Sequence, residues 1–362
     1  MFKSFLAALL SAASAVTAVT NITAATDAST PAATYLVKKD IPYLETAGGP
    51  SLDMYTPVGA DKSHRLPGFV WIHGGGWTGG TKGGAREVAV CTTLARAGFV
   101  TVSIDYVLAD SLHASWPTNL EQCKAAIRFL RHNAALYGVD SAHIAVGGGS
   151  AGAHLAVMAG MTGEASFRNS SHAGYSGKVD AILDLYGPVS TYDWFGASVE
   201  SLLGVTSKTD PLIRQSSAET YLSAKSPPVF IAHGLDDATV DPMVTKNFAD
   251  RLSKAGAEHQ LVLISGAGHS FTLEKYNGKP LSVDLKSMVL DWLNAKLRPA
   301  AALGRAEGGA PAGEVALELR SMDGRLVKFQ DAANSPVQGP GLNFLTVRHG
   351  NRIVATRLVS PR

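Results

Sequence analysis

Short apolar runs alternate with amphipathic segments along most of this 362-residue chain. A short apolar run bounded by glycine, proline or charged residues predicts a buried strand, and apolar residues at helical spacing predict a helix. Strands are predicted at 69–72, 99–104, 143–146, 181–186, 229–232 and 260–264, and helices at 86–97, 119–137, 153–159, 243–254 and 283–297. This alternation predicts an α/β fold with a mostly parallel central sheet and helices on both faces.

The two ends of this α/β region follow other patterns. Residues 34–46 and 51–58 predict an antiparallel hairpin, so we expect the main domain to span 34–298. Residues 299–313 are rich in Ala, Gly and Pro and predict a linker. The alternation that follows it, with turn signals between the segments, predicts a small all-β domain at 314–362.

The N-terminus has the composition of a secretory signal peptide. Lys3 supplies a positive charge, and the apolar stretch at 5–19 that follows is rich in Ala and Leu. This stretch is too short, and carries too many Ser and Thr residues, to remain as a membrane span. We therefore predict a signal peptide at 1–20 and a secreted or cell-surface protein.

Composition argues against several classes of partner and cofactor. A formal net charge of +2 offers no attraction for nucleic acid or for an anionic membrane. The two cysteines, Cys91 and Cys123, both fall in predicted helices, and no Cys/His spacing is typical of a metal site. We expect no cofactor, no metal and no nucleic-acid partner.

The stretch Gly148-Gly149-Ser150-Ala151-Gly152 joins the strand predicted at 143–146 to the helix predicted at 153–159. In this context Gly-x-Ser-x-Gly is typical of a nucleophile elbow, in which a sharp turn exposes the serine oxygen at a helix N-terminus. The alternative is an ordinary glycine-rich turn with the serine as helix N-cap. The signals elsewhere in the chain favour the elbow, so Ser150 is the candidate nucleophile.

A glycine run, His73-Gly74-Gly75-Gly76-Trp77, directly follows the buried strand predicted at 69–72. Acyl transfer passes through a tetrahedral oxyanion, which converging backbone N–H groups stabilise. Glycines allow this convergence because no side chain blocks the approach. We expect the N–H groups of Gly75, Gly76 and Ala151 to form an oxyanion hole. An ordinary flexible loop is the alternative.

Acidic residues and a histidine follow two later strands. Asp236, Asp237 and Asp241 come after the first of them, and His269 comes after the second. The order Ser, Asp, His along the chain is that of the nucleophile-elbow class. His269 is the candidate general base for Ser150, and it needs a carboxylate on its other ring nitrogen. The residues alone leave three aspartates as candidates for that carboxylate.

Together these motifs resemble those of α/β-hydrolase esterases. The nearest resemblance is to the bacterial feruloyl-esterase-like carboxylesterases, with hormone-sensitive-lipase-type esterases next, and it covers roughly residues 35–297. Gly149 stands where the lipase-type branch usually has Asp, which favours the first family. The motifs that carry the resemblance are His73-Gly74-Gly75-Gly76-Trp77, Asp105-Tyr106, Trp116-Pro117, Gly148-Gly149-Ser150-Ala151-Gly152-Ala153-His154-Leu155, Tyr186-Gly187-Pro188, His233-Gly234-x-x-Asp237-x-x-Val240 and Gly266-x-Gly268-His269.

The resemblance implies an α/β-hydrolase fold in which Ser150, Asp237 and His269 form a catalytic triad. It also places a cap at 189–225, the segment that sets acyl specificity in this fold. In the same fold the helices that carry Cys91 and Cys123 lie on opposite faces of the sheet, which excludes a disulfide between them.

Several aromatic and histidine side chains lie near these motifs. We expect Trp77 and Trp194 to line the substrate site. His154 is expected to pack in the core, His73 to brace the glycine run, and His233 to end its strand. The C-terminal region is similar to the sorting tails of exported bacterial proteins, which implies secretion machinery as a partner. A small carbohydrate-binding module is the alternative.

The function that these features predict is that of a secreted serine carboxylesterase. Its expected substrates are acetyl or feruloyl (aryl) esters of plant polysaccharide, or related small esters. A lipase or peptidase on the same scaffold is the alternative, although a peptidase usually adds a propeller domain and a lipase a longer apolar lid. A non-catalytic binding module is disfavoured, because nucleophile, acid, base and oxyanion glycines are all present.

Overall fold

The computed structural model describes residues 34–298 and, after them, the backbone of four C-terminal strands. The predicted signal peptide (1–20) and the predicted linker (299–313) lie outside the described residues. All the candidate site residues fall within 34–298.

An eight-stranded, mostly parallel sheet forms the centre of the main domain. Its strands are β1 (Tyr35–Pro42), β2 (Ser51–Pro57), β3 (Leu66–Ile72), β4 (Val100–Ile104), β5 (Val139–Gly149), β6 (Ala181–Leu185), β7 (Val229–Gly234) and β8 (His259–Ile264). They lie in the order β1-β2-β4-β3-β5-β6-β7-β8. The first two strands run antiparallel to their neighbours, and the others are parallel. A short separate pair is formed by β9 (Lys275–Tyr276) and β10 (Lys279–Pro280).

The apolar runs lie at the centre of this sheet. Val70 of β3 is in register with Val102 of β4 and Val146 of β5, and all three are fully buried. Parallel strands covered on both faces read as continuous apolar runs, which is the pattern that predicted them. The carboxyl ends of β3, β5, β7 and β8 therefore bring the glycine run, the elbow, the aspartates and His269 to one edge of the sheet.

Helices cover both faces of the sheet. The helices of residues 34–298 are α1 (Ala85–Arg96), α2 (Thr118–His132), α3 (Ala134–Tyr137), α4 (Ala151–Met161), α5 (Ala197–Leu203), α6 (Pro211–Gln215), α7 (Pro242–Ala255) and α8 (Leu285–Leu297). α1 and α8 pack into the apolar core on one face, and α2, α4 and α7 pack into the core on the other. Cys91 lies in the first core and Cys123 in the second. Both thiols are buried and free, which confirms the expectation that they do not pair.

The single helix predicted at 119–137 is wrong in one respect, because the structure divides it into α2 and α3. Asn133 lies between them, with φ −96° and ψ 17°. Its side-chain amide donates to the carbonyl of Phe129 at 3.0 Å, so it competes with the backbone bonds that would continue the helix. Gly138 then ends α3 in a left-handed conformation, with φ 66°.

The predicted cap segment, 189–225, contains α5, α6 and a short 3₁₀ turn at Ala218–Tyr221. Buried hydroxyl groups hold it together, since Thr191 Oγ1 donates to the carbonyl of Ile213 at 2.9 Å. None of the helices in residues 34–298 has both the length and the apolar character that a membrane crossing requires.

The four C-terminal strands are β11 (Val315–Ser321), β12 (Leu326–Val327), β13 (Asn343–His349) and β14 (Arg352–Val359). They pair in antiparallel fashion in the order β12-β11-β13-β14. The sorting role of this region, and the boundaries of the small domain at 314–362, stay predictions.

Candidate active site

Ser150 occupies the sharp turn between β5 and α4. Its φ of 57° and ψ of −125° lie in a backbone region that residues other than glycine rarely adopt. Close packing around the turn requires glycine, since a Cβ on Gly152 would lie 2.1 Å from the carbonyl oxygen of Ile72. The Ser150 N–H donates to the carbonyl of Leu185 at 2.9 Å, which ties the turn to β6. This geometry is that of a nucleophile elbow.

A continuous chain of hydrogen bonds joins Ser150, His269 and Asp237. Ser150 Oγ lies 2.9 Å from His269 Nε2, and His269 Nδ1 lies 2.7 Å from Asp237 Oδ2. We assign the imidazole proton to Nδ1, because an ionised carboxylate only accepts. Nε2 is then free to accept the serine proton. The three residues follow the ends of three different strands, so the sheet brings them together.

Asp237 is the most enclosed member of this chain, with its side chain fully buried. Its Oδ1 accepts from the backbone N–H groups of Thr239 at 2.8 Å and Val240 at 3.0 Å. Burial raises the pKa of Asp237, but hydrogen bonds from His233 and His269 lower it by more. The pKa of this carboxyl therefore lies well below its ordinary value, and the group stays ionised. Of the other candidates, Asp236 and Asp241 are exposed.

His233 contacts the candidate acid, Asp237. From the sequence we expected His233 only to end its strand, so this contact was not predicted. Its Nε2 lies 3.0 Å from Asp237 Oδ2, and its Nδ1 lies 2.6 Å from Thr245 Oγ1. The ring is fully buried. The spacing of His233 and Asp237, four residues apart across a strand end, is the signal in the sequence from which this contact could have been predicted.

The glycine run passes directly beside the elbow. A Cβ on Gly74 would lie 2.7 Å from the carbonyl oxygen of Gly149 and 3.1 Å from Ser150 Cβ. Gly75 and Gly76 have φ values of 124° and 61°, which turn the backbone. Within residues 34–298, the N–H groups of Gly75, Gly76 and Ala151 have no hydrogen-bond acceptor. Free donors beside a nucleophile are what an oxyanion hole requires.

Comparison with known proteins places the chain in a family. The BD-FAE family model matches residues 52–252, which is more than half of the chain. The chain belongs to the BD-FAE family. The matched range includes Ser150 and Asp237 and ends before His269. This match confirms the resemblance to feruloyl-esterase-like carboxylesterases.

Several curated relatives of this BD-FAE protein are named esterases or carboxylic ester hydrolases. Esterase LipC of Mycobacterium tuberculosis is 31% identical over 221 residues, which cover 57% of this chain and 53% of LipC. The chain spans about half the length of the curated relatives that it matches.

Solved structures confirm the α/β-hydrolase fold of the BD-FAE domain. An acetyl ester-xyloside bifunctional hydrolase from Caldicellulosiruptor lactoaceticus is 25% identical with a TM-score of 0.60, covering 71% of this chain and 95% of that chain. Esterase 2 of Thermogutta terrifontis is 26% identical with a TM-score of 0.59, covering 74% of this chain and 96% of that chain.

Trp77 does not line an open surface in this BD-FAE domain, which corrects its predicted contact with substrate. The indole is fully buried and packs against Trp194, with ring centroids 6.1 Å apart, and against His154 at 5.2 Å. Trp194 is partly exposed, and its indole N–H donates to the carbonyl of Thr239 at 3.1 Å. Trp77 therefore supports Trp194 from the core side.

Two further histidines have structural surroundings, as predicted. His154 is fully buried; its Nε2–H donates to the carbonyl of Ser216 at 2.7 Å, and burial lowers the pKa of His154 to about 4. His73 is buried beside the glycine run, where its Nδ1–H donates to the carbonyl of Gly74 at 2.7 Å. The phenol of Tyr106 donates to the His73 carbonyl at 3.0 Å and stacks on the ring.

Proposed function

We propose that this protein is a serine carboxylesterase that cleaves carboxylic esters through an acyl-enzyme. The observation that carries the proposal is the unbroken hydrogen-bond chain from Ser150 Oγ through His269 to the ionised Asp237. In this proposal Ser150 is the nucleophile, His269 the general base and Asp237 the orienting acid.

In the first half-reaction Ser150 Oγ attacks the ester carbonyl carbon while its proton passes to His269 Nε2. The carbonyl oxygen becomes an oxyanion, which accepts hydrogen bonds from the N–H groups of Gly75, Gly76 and Ala151. Asp237 accepts a hydrogen bond from the Nδ1–H group throughout and stabilises the imidazolium, while the proton stays on His269. His269 then gives its proton to the alcohol oxygen, the carbon–oxygen bond breaks, and the acyl group remains on Ser150.

Water completes the reaction by the same path in reverse. His269 takes a proton from a water molecule as the water oxygen attacks the acyl carbon, and the same donors stabilise the second oxyanion. When the tetrahedral species collapses, Ser150 Oγ leaves and recovers its proton from His269. The products are a carboxylic acid and free enzyme.

We further propose acetyl or feruloyl (aryl) esters of plant polysaccharide as substrates. Family membership and the acetyl ester-xyloside activity named for the structural relative support this class. Exposed aromatic surface in the cap also supports it, because sugar and aryl rings pack well on aromatic side chains. Tyr192 is 52% exposed, and Trp194 beside it is partly exposed. Export through the signal-peptide-like N-terminus remains part of this proposal.

A panel of esters tests both levels of the proposal. The purified protein is expected to hydrolyse p-nitrophenyl acetate, methyl ferulate and acetylated xylan, with Ser150→Ala as the inactive control. If the folded protein cleaves none of these three esters, the esterase proposal is contradicted. Preference for emulsified long-chain triglyceride would favour a lipase, and cleavage of peptide anilides would favour a peptidase.

A further inference from the structure

Arg86 lies at the second residue of α1, beside the glycine run, and no step of the proposed reaction uses it. Its Nε and Nη2 contact Glu87 Oε1 at 3.0 and 2.6 Å. Its Nη1 donates to Ser270 Oγ at 3.1 Å. The Glu87 side chain is 5% exposed and that of Arg86 is 20% exposed. A planar guanidinium held by a nearly buried carboxylate has a fixed orientation.

This guanidinium borders the backbone that carries the oxyanion donors. A Cβ placed on Gly74 would lie 3.0 Å from Arg86 Nη2 and 3.1 Å from Ser150 Cβ. Arg86 and the Ser150 side chain therefore flank the same glycine. A shift of Arg86 would open space behind Gly74, the residue that leads into the expected oxyanion hole.

The same guanidinium also reaches the segment that carries His269. Ser270, its hydrogen-bond partner, directly follows His269 and has a φ of 69°. The Arg86 guanidinium also lies 6.0 Å from the ring centroid of Tyr186, and that ring packs edge-on against the imidazole of His269 at 5.0 Å. Tyr186 has a φ of 47°. Backbone in these positive-φ conformations persists only where its surroundings hold it.

We propose that Arg86, oriented by Glu87, is a positioning residue that holds the His269 segment against the glycine run. This inference rests on the proposed function, because it assigns Arg86 a role in placing His269 for proton transfer. The imidazole must reach Ser150 Oγ and then the leaving oxygen, and a misplacement of about 1 Å can cost about 10²-fold in rate. Arg86 ties the two loops that flank Ser150 to one helix.

Arg86→Ala in the full chain tests this role through the split between kcat and KM for p-nitrophenyl acetate. We expect kcat to fall by about 10- to 100-fold with KM little changed, since the substrate site itself is intact. Free guanidinium at a non-denaturing concentration should restore part of the lost kcat, because it can occupy the space beside Glu87. Arg86→Lys should not restore it, as an ammonium lacks the planar fork.

The matched control is Arg96→Ala, which removes an exposed arginine from the last turn of the same helix and should leave kcat unchanged. Ser270→Ala, which removes only the acceptor, should lower kcat about fivefold. This variant decides the matter if Arg86→Ala does not fold.

Wild-type kcat in both Arg86→Ala and Ser270→Ala would overturn the inference. A lowered kcat that guanidinium does not restore would also overturn it. Either result leaves the esterase proposal intact, whereas full activity in Ser150→Ala would remove that proposal instead.

Discussion

His233 Nε2 lies 3.0 Å from Oδ2 of Asp237, the same oxygen that His269 Nδ1 contacts at 2.7 Å. Two donors on one carboxylate oxygen stabilise its ionised form and fix its direction toward His269. The pKa of Asp237 is accordingly far below its ordinary value. This arrangement makes Asp237 unlike the exposed aspartates beside it.

The role of Asp237 can be tested against its neighbours. Asp237→Asn should lower kcat by about 10⁴-fold, because the amide no longer selects the Nδ1–H tautomer of His269. Asp236→Asn and Asp241→Asn are matched controls and should change kcat by less than about threefold, since exposed carboxylates interact weakly with distant groups. Steady-state kinetics on p-nitrophenyl acetate measures all three. A larger loss in either control would mean that another carboxylate orients His269.

The nucleophile can be tested by removing one atom. Ser150→Ala should lower ester hydrolysis by about 10⁴-fold or more, because the three side chains act as a unit. Its fold should be retained, since the side chain of alanine is smaller than that of serine. Active-site titration with an organophosphate and circular dichroism together measure reactivity and folding. Stoichiometric labelling of the Ser150→Ala protein would show that the nucleophile is elsewhere.

His154 should make stability depend on pH. Its pKa is lowered to about 4 by burial, whereas in the unfolded chain it has the ordinary value near 6.5. The unfolded state therefore binds the extra proton first as pH falls. The contribution of neutral His154 to stability is complete above about pH 6.5. It declines as pH falls toward about 4, where the loss reaches about 3 kcal/mol.

Urea unfolding of wild type and His154→Gln from pH 4 to pH 8 measures this effect. Glutamine keeps a donor for the Ser216 carbonyl but does not titrate in this range. The free energy of unfolding of the variant should decline less than that of wild type between pH 6.5 and pH 4. Parallel curves for the two proteins would show that His154 is not the group responsible.

The C-terminal region should be dispensable for hydrolysis of soluble esters. The closing helix α8 buries Leu285, Val289 and Leu293 against the sheet, and every residue of the proposed reaction precedes it. A chain that ends at Pro299 should therefore fold and retain wild-type kcat on p-nitrophenyl acetate. Thermal unfolding and kinetics check this. If the truncated chain does not fold, the C-terminal region is part of the core of the main domain.

The same truncation separates the two predictions for the tail. Loss of export from the producing cell, with activity retained, supports a sorting role. Loss of binding to insoluble xylan, with export retained, supports a carbohydrate-binding module instead. Pull-down on insoluble xylan and fractionation of the culture distinguish the two results.

The local pattern of the sequence by itself determined much of this protein. Continuous apolar runs such as 69–72 predict strands that are buried on both faces, because burial requires apolar side chains at every position. The glycines around Ser150 and in the run at 74–76 mark backbone turns that few other residues adopt. Ser150, Asp237 and His269 each follow a predicted strand, and their order along the chain is the order of those strands. Each of these signals lies within a few consecutive residues, which is why it can be recognised from the sequence alone.

Tertiary structure alone decided the contacts between residues far apart in sequence. The residues themselves left three aspartates open, and the family resemblance favoured Asp237. The packing shows that this carboxylate is the one buried in contact with His269 and His233. Trp77 lies in a motif next to the site, yet its ring is turned into the core behind Trp194. Arg86 carries no motif, and its bond to Ser270 exists because α1 and the segment after β8 meet at the edge of the sheet. Such contacts depend on the direction of side chains and the approach of distant elements, and the periodicity of the sequence encodes neither.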